Sequence, residues 1–154
     1  MHWGFVVSVA VRELRLSDQL MLEELVDAVT LDVTGRGATN ALAPVGSGAT
    51  AFLTDGNSFA YAAYLDNEVA GGFWGVRIRH PNGSVSVEVI DLHVLPAARR
   101  QGIGSLLIES AVAHARRAGA TDLVMRAGSD LGTVANGMAA VSDPDRGLVR
   151  WTFD

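Results

Sequence analysis

The 154-residue sequence contains no cysteine, and this absence excludes disulfide bonds, thiolate metal sites and a cysteine nucleophile. It contains no lysine either, so a phosphate loop of the Walker A type, which needs a lysine, is also excluded. No apolar run reaches the roughly 18 residues of a membrane span, and the N-terminal segment lacks the positive start and small-residue cleavage site of a secretion signal. We therefore expect a cytoplasmic protein with no membrane partner and no metal.

Positive charge is also scarce. The formal net charge is -5 at pH 7, and the paired basic residues are Arg99 with Arg100 and Arg116 with Arg117. Nucleic-acid binding normally needs a basic face, so we expect no nucleic-acid partner, and a small cationic substrate agrees better with this charge. Apolar residues make up 49% of the sequence, which predicts one independently folding domain over residues 1–154.

The hydrophobic periodicity changes several times and predicts a mixed α/β domain. The segment 32–57 is rich in Gly, Ala, Thr and Ser, and it is either a plain surface connection or a mobile cover over a site. The predicted elements, in chain order, are a strand over 6–12, a helix over 19–29, the loop over 32–57, three antiparallel strands over 58–65, 69–80 and 84–94, a helix over 102–118 and a strand over 121–127. The second helix is predicted to bury Ile103, Leu106, Leu107, Ala111 and Ala115.

Two near-adjacent glycines stand where a strand pattern changes into a helical one, in the string PAARRQGIGSLLIESAV. A helix N-terminus presents unpaired N–H groups and partial positive charge, so a turn from Arg99 to Gly104 can hold an anion such as a pyrophosphate. Gly102 and Gly104 allow close approach, and Arg99 or Arg100 can add charge. The dinucleotide fingerprint would need a third glycine where Leu107 stands, and glycine at such a turn is also common for packing reasons.

The longer string IDLHVLPAARRQGIGSLLIESAVAHARRAGATDLVM resembles the GCN5-related N-acetyltransferase superfamily, whose signature is Arg/Gln-x-x-Gly-x-Gly/Ala between the fourth strand and the third helix. RRQGIG over 99–104 matches this signature. The similarity is dense over 87–125 and looser over 9–79. The resemblance implies an α/β fold with a central, mostly antiparallel mixed sheet flanked by helices, and it implies acetyl-CoA as the co-substrate with an amine as the acceptor.

The resemblance also implies which residues contact coenzyme A. The pantetheine arm would pair like an extra strand with the splayed end of the fourth strand at Leu92, His93 and Val94, where backbone groups can meet its amides. The Asn-bearing loop that family members carry after the fifth strand corresponds to Asn136. The pyrophosphate would lie on the signature turn, formed by Arg99, Arg100, Gln101, Gly102, Ile103, Gly104 and Ser105.

Family members attack the thioester directly with the substrate amine, which needs a base to keep the amine neutral. Glu88 is the best candidate, because it precedes Arg99 by eleven residues, the spacing at which histone-acetylating members place a glutamate base. Asp91 is the second candidate. Unless a β-bulge intervenes, strand alternation puts it on the face opposite Glu88, so only one of the two would look into the cleft. Either carboxylate could instead simply face water, and His93 is a proton relay or a packed histidine.

The match weakens after Met125. Family members carry a tyrosine in a fourth helix that protonates the departing thiolate, whereas the only tyrosines here, Tyr61 and Tyr64, are on the second strand and are interpreted as core or cleft-wall residues. One closing strand is expected within 147–154, so the C-terminal part of the fold is predicted to be abbreviated. An apolar strand at the end of a shortened sheet leaves an exposed edge, and we therefore expect a homodimer.

The sequence leaves two main functions open. The first is transfer of an acetyl group to a primary amine of a small molecule or peptide, by direct attack in a ternary complex, with coenzyme A or solvent replacing the tyrosine proton. The second is a non-catalytic protein of the same fold that binds or senses acyl-CoA. The missing tyrosine favours the second, and the intact strand around Glu88 favours the first. A structural domain with a coincidental glycine turn is least favoured.

Overall fold

A computed structural model describes residues 8–34, 48–126, 141–143 and 147–154. Within these residues a mixed sheet of seven strands carries helices on both faces, which confirms the predicted α/β class. The elements in chain order are β1 (Val9–Glu13), α1 (Gln19–Thr34), α2 (Ala49–Thr54), β2 (Ser58–Leu65), β3 (Glu68–Arg79), β4 (Val85–Val94), α3 (Ile103–Arg117), β5 (Asp122–Arg126), β6 (Val141–Asp143) and β7 (Leu148–Thr152).

The sheet has the strand order β1-β2-β3-β4-β5-β7-β6, and among its described neighbours the β4 and β5 pair alone is parallel. β2 and β3 are joined by Asp66 and Asn67, whose positive φ angles of 50° and 68° are those of a two-residue hairpin turn. The N–H of Gly83 donates to the carbonyl of His80 at 2.9 Å and closes the next turn. The predicted three-stranded meander is therefore confirmed.

Each face of the sheet buries its own apolar cluster. One cluster lies under α3, and the other lies under α1 and α2. The predicted inward face of α3 is wrong at Leu106, which is 36% exposed, while Ile108 and His114 are buried without having been predicted. The buried stripe follows every fourth residue from Ile103 and widens towards Ile108, so Leu106 falls on the solvent side.

The first helix is longer than the pattern indicated. α1 begins at Gln19, as predicted, and continues to Thr34 because no proline or glycine interrupts the chain before residue 35. The segment predicted as a loop contains the short helix α2, Ala49–Thr54. Residues 35–47 lie outside the described part, so the mobile-cover hypothesis is untested.

The C-terminal segment forms the predicted closing strand, β7, and a short strand β6 that the sequence did not indicate. β6 pairs with Leu148, Val149 and Arg150 of β7, so β7 lies inside the sheet between β5 and β6 over those residues. The expected exposed edge along β7 is therefore covered in part, which removes much of the reason for expecting a homodimer. The dimer itself stays a prediction.

Candidate functional site

Strands β4 and β5 are paired along only part of the length of β4. Their parallel pairing runs from Ser86 opposite Asp122 to Val89 opposite Met125 and does not continue along the rest of β4 within the described residues. β4 itself extends to Val94 and remains paired with β3 on its other side. Among the described residues, the end of β4 therefore has a strand on one side and no paired strand on the other, and we refer to this unpaired side as the gap.

The backbone groups that face this gap follow from the β3 pairing. Residues of an antiparallel pair alternate between those whose N–H and C=O face the partner strand and those whose groups face away. The N–H of Leu95 donates to the carbonyl of Ala70 in β3 at 2.8 Å. The backbone groups of Val94, and of Leu92 two residues earlier, therefore face the gap, whereas those of His93 face β3. Of the three predicted pantetheine contacts, two have the required backbone direction.

The turn before α3 has the geometry of an anion site. Arg100 and Gly102 have positive φ angles of 65° and 77°, which turn the chain sharply into the helix. The N–H of Leu106 makes the first bond of the helix, to the carbonyl of Gly102 at 3.2 Å, so the amides of Ile103 and Gly104 precede the helical ladder. A Cβ on Gly102 would meet no described atom within 4 Å, so the space beside this turn is open.

The two arginines of the turn have different surroundings. The guanidinium of Arg99 donates from Nε to the carbonyl oxygen of Val94 at 3.1 Å and from Nη2 to Oδ2 of Asp32 at 2.9 Å. Arg100 is exposed at the tip of the turn. The side chain of Arg99 is thus engaged with the end of β4 and with α1, and its predicted role as a source of charge for a phosphate stays a prediction.

Asp32 is the site residue that the sequence analysis missed. Its Oδ2 also lies 2.5 Å from Nε2 of His93. An ionised carboxylate can only accept hydrogen bonds, so we assign the ring proton of His93 to Nε2. No sequence signal could have found this group, because its partners are 61 and 67 residues away and Asp32 falls in a segment predicted as loop.

Both candidate bases lie on one face of β4. Asp91 pairs with Trp74 and Glu88 pairs with Val76, so one residue of β4, Ile90, is left over as a β-bulge. Trp74 and Val76 are two residues apart on β3 and share a face, and their partners therefore share it too. The expectation that only one carboxylate would look into the cleft was conditional on the absence of a β-bulge, and the bulge at Ile90 is the stated exception, which puts both carboxylates on one face.

This face is the one covered by α1 and α2, since Trp74 packs against the cluster beneath those helices. Partial burial raises the pKa of Asp91 above its ordinary value, an effect that the nearby His93 and a backbone hydrogen bond at Leu92 oppose. A carboxylate with a raised pKa is a better proton acceptor near neutral pH. Glu88 is half-buried on the same face. The arrangement can therefore accept a proton beside the gap.

The tyrosines lie away from this arrangement. Tyr61 is 5% exposed on the α3 face, where it stacks on Phe73 with ring centroids 4.7 Å apart, and Tyr64 packs against the cluster under α1. Their interpretation as core or wall residues is confirmed. Asn136, the predicted contact in the loop after β5, lies outside the described residues.

No helix in the described part of the chain is long and apolar enough to cross a membrane. No group of three or more His, Cys, Asp or Glu side chains in those residues is placed to hold a metal ion.

Comparison with known proteins supports the resemblance. A family model described as the acetyltransferase (GNAT) family matches residues 35–139. An aminoglycoside acetyltransferase, HMB0005, from an uncultured soil metagenomic sample aligns with a TM-score of 0.73 and 21% identity over 88% of this chain and 93% of that one. The ribosomal-protein-alanine N-acetyltransferase of Brucella melitensis biovar Abortus 2308 aligns with a TM-score of 0.69 and 20% identity over 96% of both chains. A predicted acetyltransferase of Clostridium acetobutylicum, in complex with acetyl-CoA, has a TM-score of 0.68 and 14% identity over 96% of both. Comparison with curated proteins finds no match.

Proposed function

Because the chain belongs to the acetyltransferase (GNAT) family, we propose that it transfers the acetyl group of acetyl-CoA to a primary amine of a small molecule or peptide. The observation that carries this proposal is the gap beside β4, which leads to the positive-φ turn at the start of α3. An extended amide chain fits the gap, and a phosphate group fits the amides of the turn.

In this proposal the pantetheine arm pairs with the backbone groups of Leu92 and with the N–H of Val94, whose carbonyl already accepts a hydrogen bond from Nε of Arg99. The pyrophosphate lies on the amides of the turn and first helical residues, and the exposed Arg100 adds charge. Adjacent oriented N–H groups in a turn favour an anion without a metal. The residues of this phosphate site are Arg100, Gln101, Gly102, Ile103, Gly104 and Ser105.

The reaction is direct attack in a ternary complex. The amine nitrogen forms a bond to the thioester carbonyl carbon, the carbon–sulfur bond breaks, and coenzyme A leaves as a thiolate that takes a proton from solvent. Glu88 accepts the proton lost by the amine, directly or through water, and Asp91 on the same face is the alternative base. The absence of a tyrosine in the C-terminal part is the reason for assigning the thiolate proton to solvent.

The acceptor is tested with a panel of amines by release of free thiol from acetyl-CoA. The structural neighbours suggest two members of the panel: sisomicin, which is bound in the structure of the aminoglycoside acetyltransferase meta-AAC0020, and a peptide that begins with alanine. For an accepted amine, Glu88→Gln is expected to lower kcat by about 10²-fold or more with little change in coenzyme A affinity. Glu109→Gln, on the exposed side of α3, is the matched control and should be unaffected.

The alternative function is binding of acyl-CoA without catalysis. The missing C-terminal tyrosine is the specific observation that favours it. Tight acetyl-CoA binding with no thiol release across the panel would support this alternative. A cytoplasmic location and a homodimer also belong to the proposal, and light scattering at micromolar protein concentration tests the dimer.

A further inference from the structure

One carboxylate joins three parts of the candidate site. Oδ2 of Asp32, near the end of α1, lies 2.5 Å from Nε2 of His93 and 2.9 Å from Nη2 of Arg99. The side chains of Asp32 and His93 are 19% and 18% exposed, whereas that of Arg99 is 53% exposed. Asp32 thus connects the first helix to the end of β4 and to the beginning of the anion turn.

The side chain of Arg99 is held at two points. Its Nε donates to the carbonyl of Val94, and its Nη2 donates to Asp32. A guanidinium carries five N–H donors, so further donors remain for a ligand after these bonds are made. A planar group that is already fixed loses less freedom when it binds, and this preorganisation increases affinity.

The position of the Arg99 guanidinium determines which ligand would benefit from this preorganisation. The carbonyl of Val94 faces the gap, and the backbone of Arg99 begins the turn that leads into α3. A ligand that pairs with β4 and places a phosphate on the turn has to pass the guanidinium between them. The N–H groups of arginine are complementary to the carbonyl and phosphate oxygens of such a ligand.

We propose that Asp32 is a positioning residue for coenzyme A, which it serves by fixing Arg99 between the gap and the anion turn. The inference rests on the proposed function, because coenzyme A is the ligand that spans both places. Asp32 acts through Arg99 and does not itself touch the ligand. Asp32→Asn keeps the shape of the side chain and an acceptor oxygen but removes the charge, so Nη2 of Arg99 loses its charged partner and the guanidinium is held less firmly, by Nε on the Val94 carbonyl.

The test is a double-mutant cycle measured by calorimetric titration with coenzyme A. The proteins are the wild type, Asp32→Asn, Arg99→Gln and the double variant, and Asp27→Asn removes one negative charge from an exposed position of the same helix as a control. Asp32→Asn is expected to weaken binding on the order of tenfold, the size of one charge-assisted hydrogen bond. It should have no further effect in the Arg99→Gln background, and this non-additivity marks a residue that acts through another.

Other outcomes overturn the proposal. Unchanged or tighter binding by Asp32→Asn, or independent losses that add in the double variant, would show that Asp32 does not position Arg99. If circular dichroism shows that Asp32→Asn is unfolded, the proposal is tested instead by titrating coenzyme A into Arg99→Lys. Lysine keeps the charge without the planar fork, so it should bind about tenfold more weakly, and wild-type affinity would overturn the inference. No binding by the wild type would overturn the proposed function as well, whereas wild-type binding that is insensitive to Asp32 overturns this inference alone.

Discussion

At the scale of single residues, a buried polar group outside the site is the imidazole of His114, a residue of α3 that is 5% exposed. Its Nδ1 is hydrogen bonded to the hydroxyl of Tyr61 at 2.9 Å, and Nη2 of Arg117 donates to the same hydroxyl at 3.0 Å. Nε2 of His114 has no hydrogen-bond partner among the described residues. Burial lowers the pKa of His114, an effect that Glu13 opposes and nearby arginines reinforce. The folded protein therefore favours the neutral ring.

This burial predicts a loss of stability in mild acid. In the unfolded chain His114 takes up a proton as the pH falls through its ordinary pKa of 6.5, whereas the folded chain resists protonation. The stability due to the neutral ring is therefore fully present above that pH and is lost below it. As the pH is lowered from about 7.5 to about 5.5, we expect the urea concentration at the midpoint of unfolding to decline. The decline should be smaller in His114→Phe. Equal declines in the two proteins would contradict this explanation.

Single residues also show which features of the candidate site could be predicted from the sequence and which could not. Glu88 and the glycine turn could be proposed as site residues from the sequence, because both were selected on spacings within a short stretch of the chain. Asp32 could not be found in this way, because its contacts depend on how α1 packs against the end of β4. The face of Asp91 could not be decided either, because a single bulged residue reverses the alternation.

At the scale of elements, the end of α3 illustrates how one glycine stops a helix. Gly119 has a φ of 71°, and the N–H of Ala120 donates to the carbonyl of Ala115 at 3.0 Å, as in a Schellman motif. This ending was predicted from the glycine, and it delivers the chain into β5 beside β4. The length of α1 was not predicted: the helix continues past its predicted end to Thr34, directly before Gly35, and how far a helix extends depends largely on tertiary packing.

The left-handed conformation at this helix end predicts a specific cost. Gly119→Ala should lower the free energy of unfolding by about 1 kcal/mol, because an alanine side chain is strained at positive φ. Gly56→Ala is the matched control, since Gly56 has no positive φ and an added Cβ would meet no described atom within 4 Å. Its stability should be unchanged or slightly higher. Equal effects of both substitutions in urea unfolding would argue against the strain.

At the scale of the whole molecule, two structural features that the proposed function requires lie at one end of β4. Its gap with β5 suits an extended ligand, and the adjacent start of α3 suits an anion. The order of strands and helices up to β5 followed from periodicity and turn residues. The short strand β6 did not, because three residues carry too little pattern to be recognised without their partner strand.

The measurement that tests the central claim most directly is calorimetric titration of coenzyme A into the wild type and into Gly102→Glu. The glutamate adds negative charge and a side chain in a left-handed position at the centre of the anion turn. We expect micromolar binding by the wild type and loss of about two orders of magnitude or more in a folded variant. Wild-type affinity in Gly102→Glu, or no binding by the wild type, would contradict the assignment of this turn as the coenzyme A site.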